Sequence, residues 1–579
     1  MSKFVRFADF RIDTDSLPAG FEIVGAGSVG GKAIGLIYAK TAIEDWEEAI
    51  CEHQDRLLIP HSWIIATDVF DDFMNVNNID EAVRQKCDEE IDVPEMNRRI
   101  VSGSLPLNCR EFLEGILVKE NRPLAVRSSS YLEDNLKHSF AGVYQSVFIP
   151  NDGTFDERMA QLETAVKIVY VSAFGDDAKE YRKKHGIAWQ DEKMGILIQS
   201  MVGSHYPDGL YYPLFAGVAF SRNYYPWTNR IKAEDGVARL VLGLGTRAVG
   251  RYHARVFSPT LPGLRPEGMV VKDIVKYSQE VADVMDFKSG LLIEEDISSL
   301  KNMNQKLHMA CSVVSPEGYL TDAGPGRTEG KRLLATFDPI LNSNQYVPFV
   351  PMIGSLLKNL ERLLGVPVDV EFAVNFEESE DGDERAMFYL LQVRSLGGRP
   401  EHRKVILPTG IPNERIVFRA ERILGNGVKR GVRHIVYIPH QAYEFQKGYA
   451  FAREIGRLNK SLENENYILI GPGRWATQNP ELGIPVRYAE ISNASVIVEV
   501  SYKRFSPELS YGTHFFGDML ATNILYIPLW LEKGSFLNEE FLMNSPNKWE
   551  SENVRLVEVP KGVNVYADGE SHSAIAFVE

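Results

Sequence analysis

Apolar residues fall along this chain in two rhythms, and the change from one to the other marks its elements. Short apolar runs bounded by glycine, proline or charge predict strands over 21–24, 195–199, 214–220, 238–242, 368–374 and 387–393. The run 57–59 leads through Pro60 into 63–65 and reads as one strand with a proline in it. Spacing closer to 3.6 predicts a helix that starts at Lys32 and reaches Lys40, and another behind a Thr67 cap with Val69, Phe70 and Phe73 on it. Two polar intervals, about 76–120 and from 256 to about 300, read as helical. The acidic run over 377–384 reads as a solvated hairpin tip between two strands. Leu396-Gly397-Gly398-Arg399-Pro400 interrupts the pattern and predicts a boundary, after which the composition stays globular.

Composition narrows the class. The chain has 579 residues, 44% of them hydrophobic, which suits about three to four domains with real cores. A net charge of −16 with no basic run argues against general binding to nucleic acid or to a membrane surface. No apolar stretch is long enough to span a bilayer, and residues 1–15 lack the apolar heart of a signal peptide. Cys51, Cys87, Cys109 and Cys311 have no metal spacing, so free thiols in a cytoplasmic protein are expected.

The densest chemistry lies at Ala125-Val126-Arg127-Ser128-Ser129-Ser130, followed by Glu133-Asp134 and Ser139-Phe140-Ala141-Gly142. A guanidinium at a strand end, then hydroxyls and backbone N–H groups, suits an anion with several oxygens; Arg-Ser-Ser can equally cap a helix. A second constellation is Asp369 and Glu371 with Gln392 and Arg394. On a strand, residues two apart share a face, so two carboxylates, an amide and a guanidinium meet on neighbouring strands, the groups that Mg-nucleotide needs.

The string Val126-Arg127-Ser128-Ser129…Glu133-Asp134…Ser139-Phe140-Ala141-Gly142 resembles the nucleotide-binding domain of the phosphoenolpyruvate synthase and pyruvate phosphate dikinase family. Other stretches are similar in the same order: Gly30-Gly31-Lys32-Ala33…Gly35-Leu36, Pro60 to Thr67, Ile196 to Val202 with Gln199 and Met201, Ala216 to Ser221, and Asp369-x-Glu371…Gln392-x-Arg394. The resemblance covers about 20–395. It implies an α/β (α+β) protein with an ATP-grasp-like nucleotide fold of two subdomains clasping ATP, over about 1–225 and 226–400. Within it Lys32, Arg127, Gln199, Met201, Asp369, Glu371, Gln392 and Arg394 would bind ATP, Glu371 and Gln392 would hold Mg2+, and Arg127 and Arg394 would serve catalysis. Gly243-Leu244-Gly245 is followed by Thr246, where the family carries glutamate.

In the family a smaller swivelling β/α domain with a phosphorylated histidine follows, and 401–535 resembles its framework at 425–436, 467–471, 494–499 and 523–528. His514 falls in register with that histidine, although Phe515-Phe516 replaces two alanines; a structural role between aromatics remains open. Arg474 and Trp475 could contact an acceptor. The last segment, 536–579, reads as an extension of short strands, with no room for the family's phosphoenolpyruvate/pyruvate barrel. The expectation is therefore a cytoplasmic ATP-dependent phosphotransferase using ATP and Mg2+. Its acceptor would be an unidentified small molecule or protein, held by this chain or by a partner chain. A nucleotide-binding regulatory or scaffold protein is the alternative. A dinucleotide oxidoreductase using Gly25-Ala26-Gly27-Ser28-Val29-Gly30 comes last, because the following strand ends in Pro60 rather than an acid that would hold a ribose.

Overall fold

The computed structural model describes residues 12, 17–45, 53–79, 93–130, 144–188, 191–223, 227–228, 230–249, 253–300, 305–324, 331–343, 347–378, 384–396, 405–421, 423, 426–463, 465–477, 479–503, 505, 519, 524–551, 553–569 and 571–579. The chain divides into two compact units, one made mainly of residues up to Leu396, the other mainly of Gly397–Glu579.

The larger unit is built on three main sheets and also holds a two-stranded one, Ser312–Val314 with Leu320–Asp322. A five-stranded sheet runs in the order Phe21–Val24, Ser62–Ile65, Met194–Ser200, Leu124–Ser130, Ser146–Ile149. A six-stranded sheet runs Arg255–Phe257, Val237–Val241, Phe215–Phe220, Val368–Glu378, Glu384–Ser395, Leu57–Leu58. A four-stranded sheet holds Leu291–Asp296, Val281–Asp286, Leu210–Tyr212 and Ser204–Tyr206. On the second sheet Val368, Val370, Phe372 and Val374 point into the main core, where helix Phe349–Leu364 contributes Phe349, Met352, Ile353 and Leu356. Asp369, Glu371 and Ala373 therefore take the other face.

Two expectations fail here. Leu57–Leu58 and Ser62–Ile65 are not one strand: the first pairs in parallel with Glu384–Ser395 and the second with Phe21–Val24, in different sheets. Pro60 between them has no N–H to continue a ladder, so the chain crosses from sheet to sheet at that point. The interval from 256 to 300 is not all helical: beside the short helix Val271–Tyr277 it forms the antiparallel pair Val281–Asp286 and Leu291–Asp296. Ala282, Val284 and Met285 are buried, and the turn at Gly290 has φ 70°. The charged residues of the pair lie on its outer positions, and their density hid the strand period.

The second unit is an eight-stranded sheet. Four strands, Gly427–Tyr437, Tyr467–Pro472, Ala494–Ser501 and Leu525–Trp530, are consecutive parallel neighbours, with helix Gly448–Ser461 in the first crossover. Arg555–Asp568 is a single strand of 14 residues, longer than the short strands expected. It lies inside the sheet, antiparallel to Gly427–Tyr437 on one side and to Ser573–Val578 on the other.

Candidate functional site

The site starts from how helix Gly31–Asp45 is seated. Gly30 has φ 77°, and a Cβ there would lie 1.5 Å from the Ser129 carbonyl oxygen. Five residues on, a Cβ on Gly35 would lie 2.2 Å from the Val393 carbonyl oxygen. The two glycines thus let one helix start lie against the backbone of Leu124–Ser130 in the first sheet and of Glu384–Ser395 in the second. Ser129 Oγ accepts from Ala33 N at 3.2 Å and donates to Val29 O at 2.8 Å, tying loop, helix and strand together. Lys32, 8% exposed, donates from Nζ to Ser128 Oγ at 3.1 Å. Three successive residues of that strand divide the work: Arg127 faces the second sheet, Ser128 meets the lysine, and Ser129 secures the helix.

Arg127 Nη2 donates to Glu371 Oε2 at 2.6 Å and to Gln392 Oε1 at 2.6 Å. Its Nη1 lies 3.4 Å from both Gln199 Oε1 and Leu391 O. Glu371 and Gln392 are opposite each other in register, but the register slips after them, with Phe372 opposite Leu390. Leu391 is the extra residue of a bulge. Before it, Phe388 and Leu390 face the core; after it Val393 does, so Gln392 and Arg394 turn to the face that carries Asp369 and Glu371. Arg394 donates from Nε and Nη2 to Asp369 Oδ2, at 2.9 and 2.5 Å, and the two side chains are 5% and 1% exposed. Arg127 and Glu371 are more open, at 12% and 15%.

Lys32, Arg127, Gln199, Glu371 and Gln392 are therefore assembled by two sheets and one helix, with Asp369 and Arg394 beside them as a sealed pair. Met201 is buried a short way off with Ala125, Tyr211, Leu244 and Met285. Thr246 donates to Asp283 Oδ2 at 2.6 Å and Arg247 Nε to Asp283 Oδ1 at 2.6 Å. Asp283 was missed because it sits in the interval read as helical; its alternation with Ala282 and Val284 was the available signal. Asp68 was missed as well. It accepts from Ala26 N at 2.8 Å and Gly27 N at 2.9 Å, and Thr67 Oγ1 accepts from Ser28 N at 2.9 Å. The glycine-loop amides that would cradle a pyrophosphate are bonded to this helix start. The dinucleotide reading of Gly25–Gly30 loses the amides of Ala26, Gly27 and Ser28 to this contact.

In the second unit Arg474 and Trp475 are fully buried. Trp475 Nε1 donates to Val498 O at 3.0 Å and its backbone N to Glu499 Oε1 at 2.9 Å, while the Tyr526 hydroxyl donates to Glu499 Oε2 at 2.5 Å. Buried Glu499, which the sequence did not single out, is what this turn is built around. His514 lies outside the described residues, as do Glu133, Asp134 and 139–142. Cys109 and Cys311 are free and buried, and burial pushes each thiol up to about 12. Among the described residues no three His, Cys, Asp or Glu side chains group as metal ligands, and no helix is long and apolar enough to cross a membrane.

An α/β unit in which an arginine of one sheet meets a carboxylate and an amide of another has the fold of an ATP-grasp-like nucleotide-binding protein. The chain belongs to the family described as pyruvate phosphate dikinase, AMP/ATP-binding domain, which it matches over residues 26–413. It is also 30% identical over 170 residues to the uncharacterized phosphotransferase YvkC of Bacillus subtilis (strain 168), a stretch covering 29% of this chain and 17% of that protein.

Proposed function

We propose that the chain is an ATP-dependent phosphotransferase whose nucleotide polyphosphate lies between the first and second sheets of the larger unit. The observation that carries this reading is the convergence of Arg127 with Glu371 and Gln392 across two sheets, beside buried Lys32. The family match and the likeness to a phosphotransferase of Bacillus subtilis support it. Lys32 and Arg127 neutralise phosphate charge, Lys32 as a point charge and Arg127 through its planar fork. Asp369 fixes the orientation of Arg394, so that the guanidinium is a positive charge held in place beside the site. Met201 and its apolar neighbours offer a surface for the base.

The donor chemistry of Glu371 and Gln392 fits Mg2+: two hard oxygens that both converge on one cationic nitrogen, the Arg127 Nη2. Bound there with the nucleotide, Mg2+ would supply neutralisation of phosphate charge. For the acceptor, His514 stands on its sequence register. A neutral imidazole nitrogen would form the N–P bond with its lone pair as the P–O bond to the departing nucleotide breaks. The departing oxygen keeps that electron pair.

The test is ATP labelled at the β or γ phosphate, with intact-protein mass, on wild type and His514→Ala. Acid-labile label in wild type alone establishes the histidine route. ATP consumption with no retained label moves the reading to direct transfer. Absence of ATP binding sinks the phosphotransferase reading altogether.

A further inference from the structure

A guanidinium bonded to a carboxylate and an amide oxygen through one nitrogen is itself a cation in the place suited to a metal. Arg127 Nη2 lies 2.6 Å from both Glu371 Oε2 and Gln392 Oε1, so those two lone pairs are spent while it stays. A divalent cation cannot approach the same oxygens without facing both lost hydrogen bonds and repulsion from the guanidinium. The neighbouring pair shows that this is not a general feature of the strands. Arg394 is bonded to a single oxygen of Asp369 through two nitrogens and is sealed, whereas Arg127 reaches over from another sheet and keeps some exposure. A polyphosphate offers a guanidinium fork a stronger bidentate partner than one carboxylate and one amide.

We propose that in the ligand-free protein Arg127 blocks the metal position between Glu371 and Gln392, and that phosphate draws it away, so metal and nucleotide bind with positive cooperativity. This deepens the function proposed above and rests on it. A rotamer change of one side chain moves the guanidinium; the backbone of Leu124–Ser130 is held on both sides by Ser146–Ile149 and Met194–Ser200. By linkage the effect is reciprocal: whatever factor the nucleotide adds to metal affinity, the metal adds to nucleotide affinity. The protein alone should therefore hold divalent metal weakly despite two well-placed oxygens.

The experiment uses the full chain, with Mn2+ as probe and its unbound fraction counted by electron paramagnetic resonance, without and with a non-hydrolysable ATP analogue. Arg127→Gln should bind Mn2+ alone at least about fivefold more tightly than wild type, and the analogue's enhancement of Mn2+ affinity should shrink towards one. Lys32→Gln removes the same unit of charge without touching the bridge and should leave the affinity for metal alone near that of wild type. Arg127→Lys, which keeps charge but loses the fork, should fall between wild type and Arg127→Gln, and it serves if Arg127→Gln does not fold. Equal tightening in Lys32→Gln, or none in either Arg127 variant, overturns the proposal while leaving nucleotide binding intact. Failure of wild type to bind the analogue with Mn2+ takes the proposed function and this inference down together.

Discussion

Two arginine–carboxylate pairs have their carboxylates two residues apart on one strand and differ in almost every respect that matters. Arg394–Asp369 is local: the partners are opposite each other in register, share one ladder, and are nearly sealed from solvent. Arg127–Glu371 is assembled across two sheets, shares its nitrogen with Gln392, and stays partly open. Removing water from a pair makes it costly to break and of little use for exchange; leaving it partly wet makes it cheap to trade for another ligand. The same chemistry is thus a fixture in one place and an exchangeable contact in the other. The Leu391 bulge is what turns Gln392 and Arg394 to the face of Asp369 and Glu371.

The largest expected effect tests the fixture. Asp369→Ala leaves the Arg394 guanidinium buried without that partner and should cost the larger unit about 3–5 kcal/mol, read as an earlier transition in denaturant. A loss under about 1 kcal/mol would put this pair in the same class as Arg127–Glu371. The exchangeable pair should behave in the opposite sense. Glu371→Gln keeps an acceptor for Arg127, so stability should hold within about 1 kcal/mol. ATP turnover should fall on the order of 10²–10³-fold. Unchanged turnover would remove Glu371 from the site.

Much of this contrast was legible beforehand, and the rest was hidden for physical reasons. Period-two spacing put Asp369 with Glu371, and Gln392 with Arg394, and the arginine–serine string marked Leu124–Ser130 as the strand to watch. Which arginine pairs with which carboxylate was not legible, because a bulge reverses the phase of a strand and leaves only a doubled apolar pair, Leu390-Leu391, as its trace. The glycine loop misled because glycine frees the backbone without saying what approaches it. Here Gly30 admits a carbonyl, and Asp68, far off in sequence, takes the loop amides that a phosphate would need. Asp283 was masked by charge: Val281–Asp286 and Leu291–Asp296 carry enough acids to look like a solvated helix. In the second unit the four parallel strands were legible through the resemblance at 425–436, 467–471, 494–499 and 523–528, whereas buried Glu499 was not, since an acid inside an apolar strand reads as an exception rather than a hub.

A smaller effect tests how the two pairs are brought together. Alanine is normally favoured over glycine in a helix by about 1 kcal/mol. Gly35→Ala should nonetheless destabilise, by about 1–3 kcal/mol, because the new methyl meets the Val393 carbonyl of the strand that carries Gln392 and Arg394. The helix and that strand must part, and Lys32 moves with the helix. Affinity for the ATP analogue should therefore drop along with stability, whereas Asp369→Ala at partial denaturation should lose both at one transition. Gly35→Ala with a gain in stability would show that helix and strand are not in such close contact.

A third pair supplies the smallest and cleanest control. Glu120 follows helix Leu107–Lys119, and its carboxylate accepts from Arg122 N at 2.9 Å, Arg122 Nε at 3.1 Å, Arg122 Nη2 at 2.8 Å and the Ser200 hydroxyl. Burial opposes its ionisation, but the hydrogen bonds from Arg122 and Ser200 more than offset this, and the group is held below the ordinary glutamate value. A depressed carboxylate binds fewer protons folded than unfolded. Its contribution is therefore present above the unfolded value of about 4.3 and is lost as pH falls through the folded value. Glu120→Gln should flatten the acid limb of the stability curve below about pH 5, read by denaturant midpoints. The pair lies between partners two residues apart in sequence and touches neither Arg127 nor Arg394 through any bond it makes, so the pH profile of ATP turnover should not move with the variant. A shift in that profile would mean that Glu120 and Arg122 feel the nucleotide, and the division between fixed and exchangeable pairs would have to include this end of Leu124–Ser130.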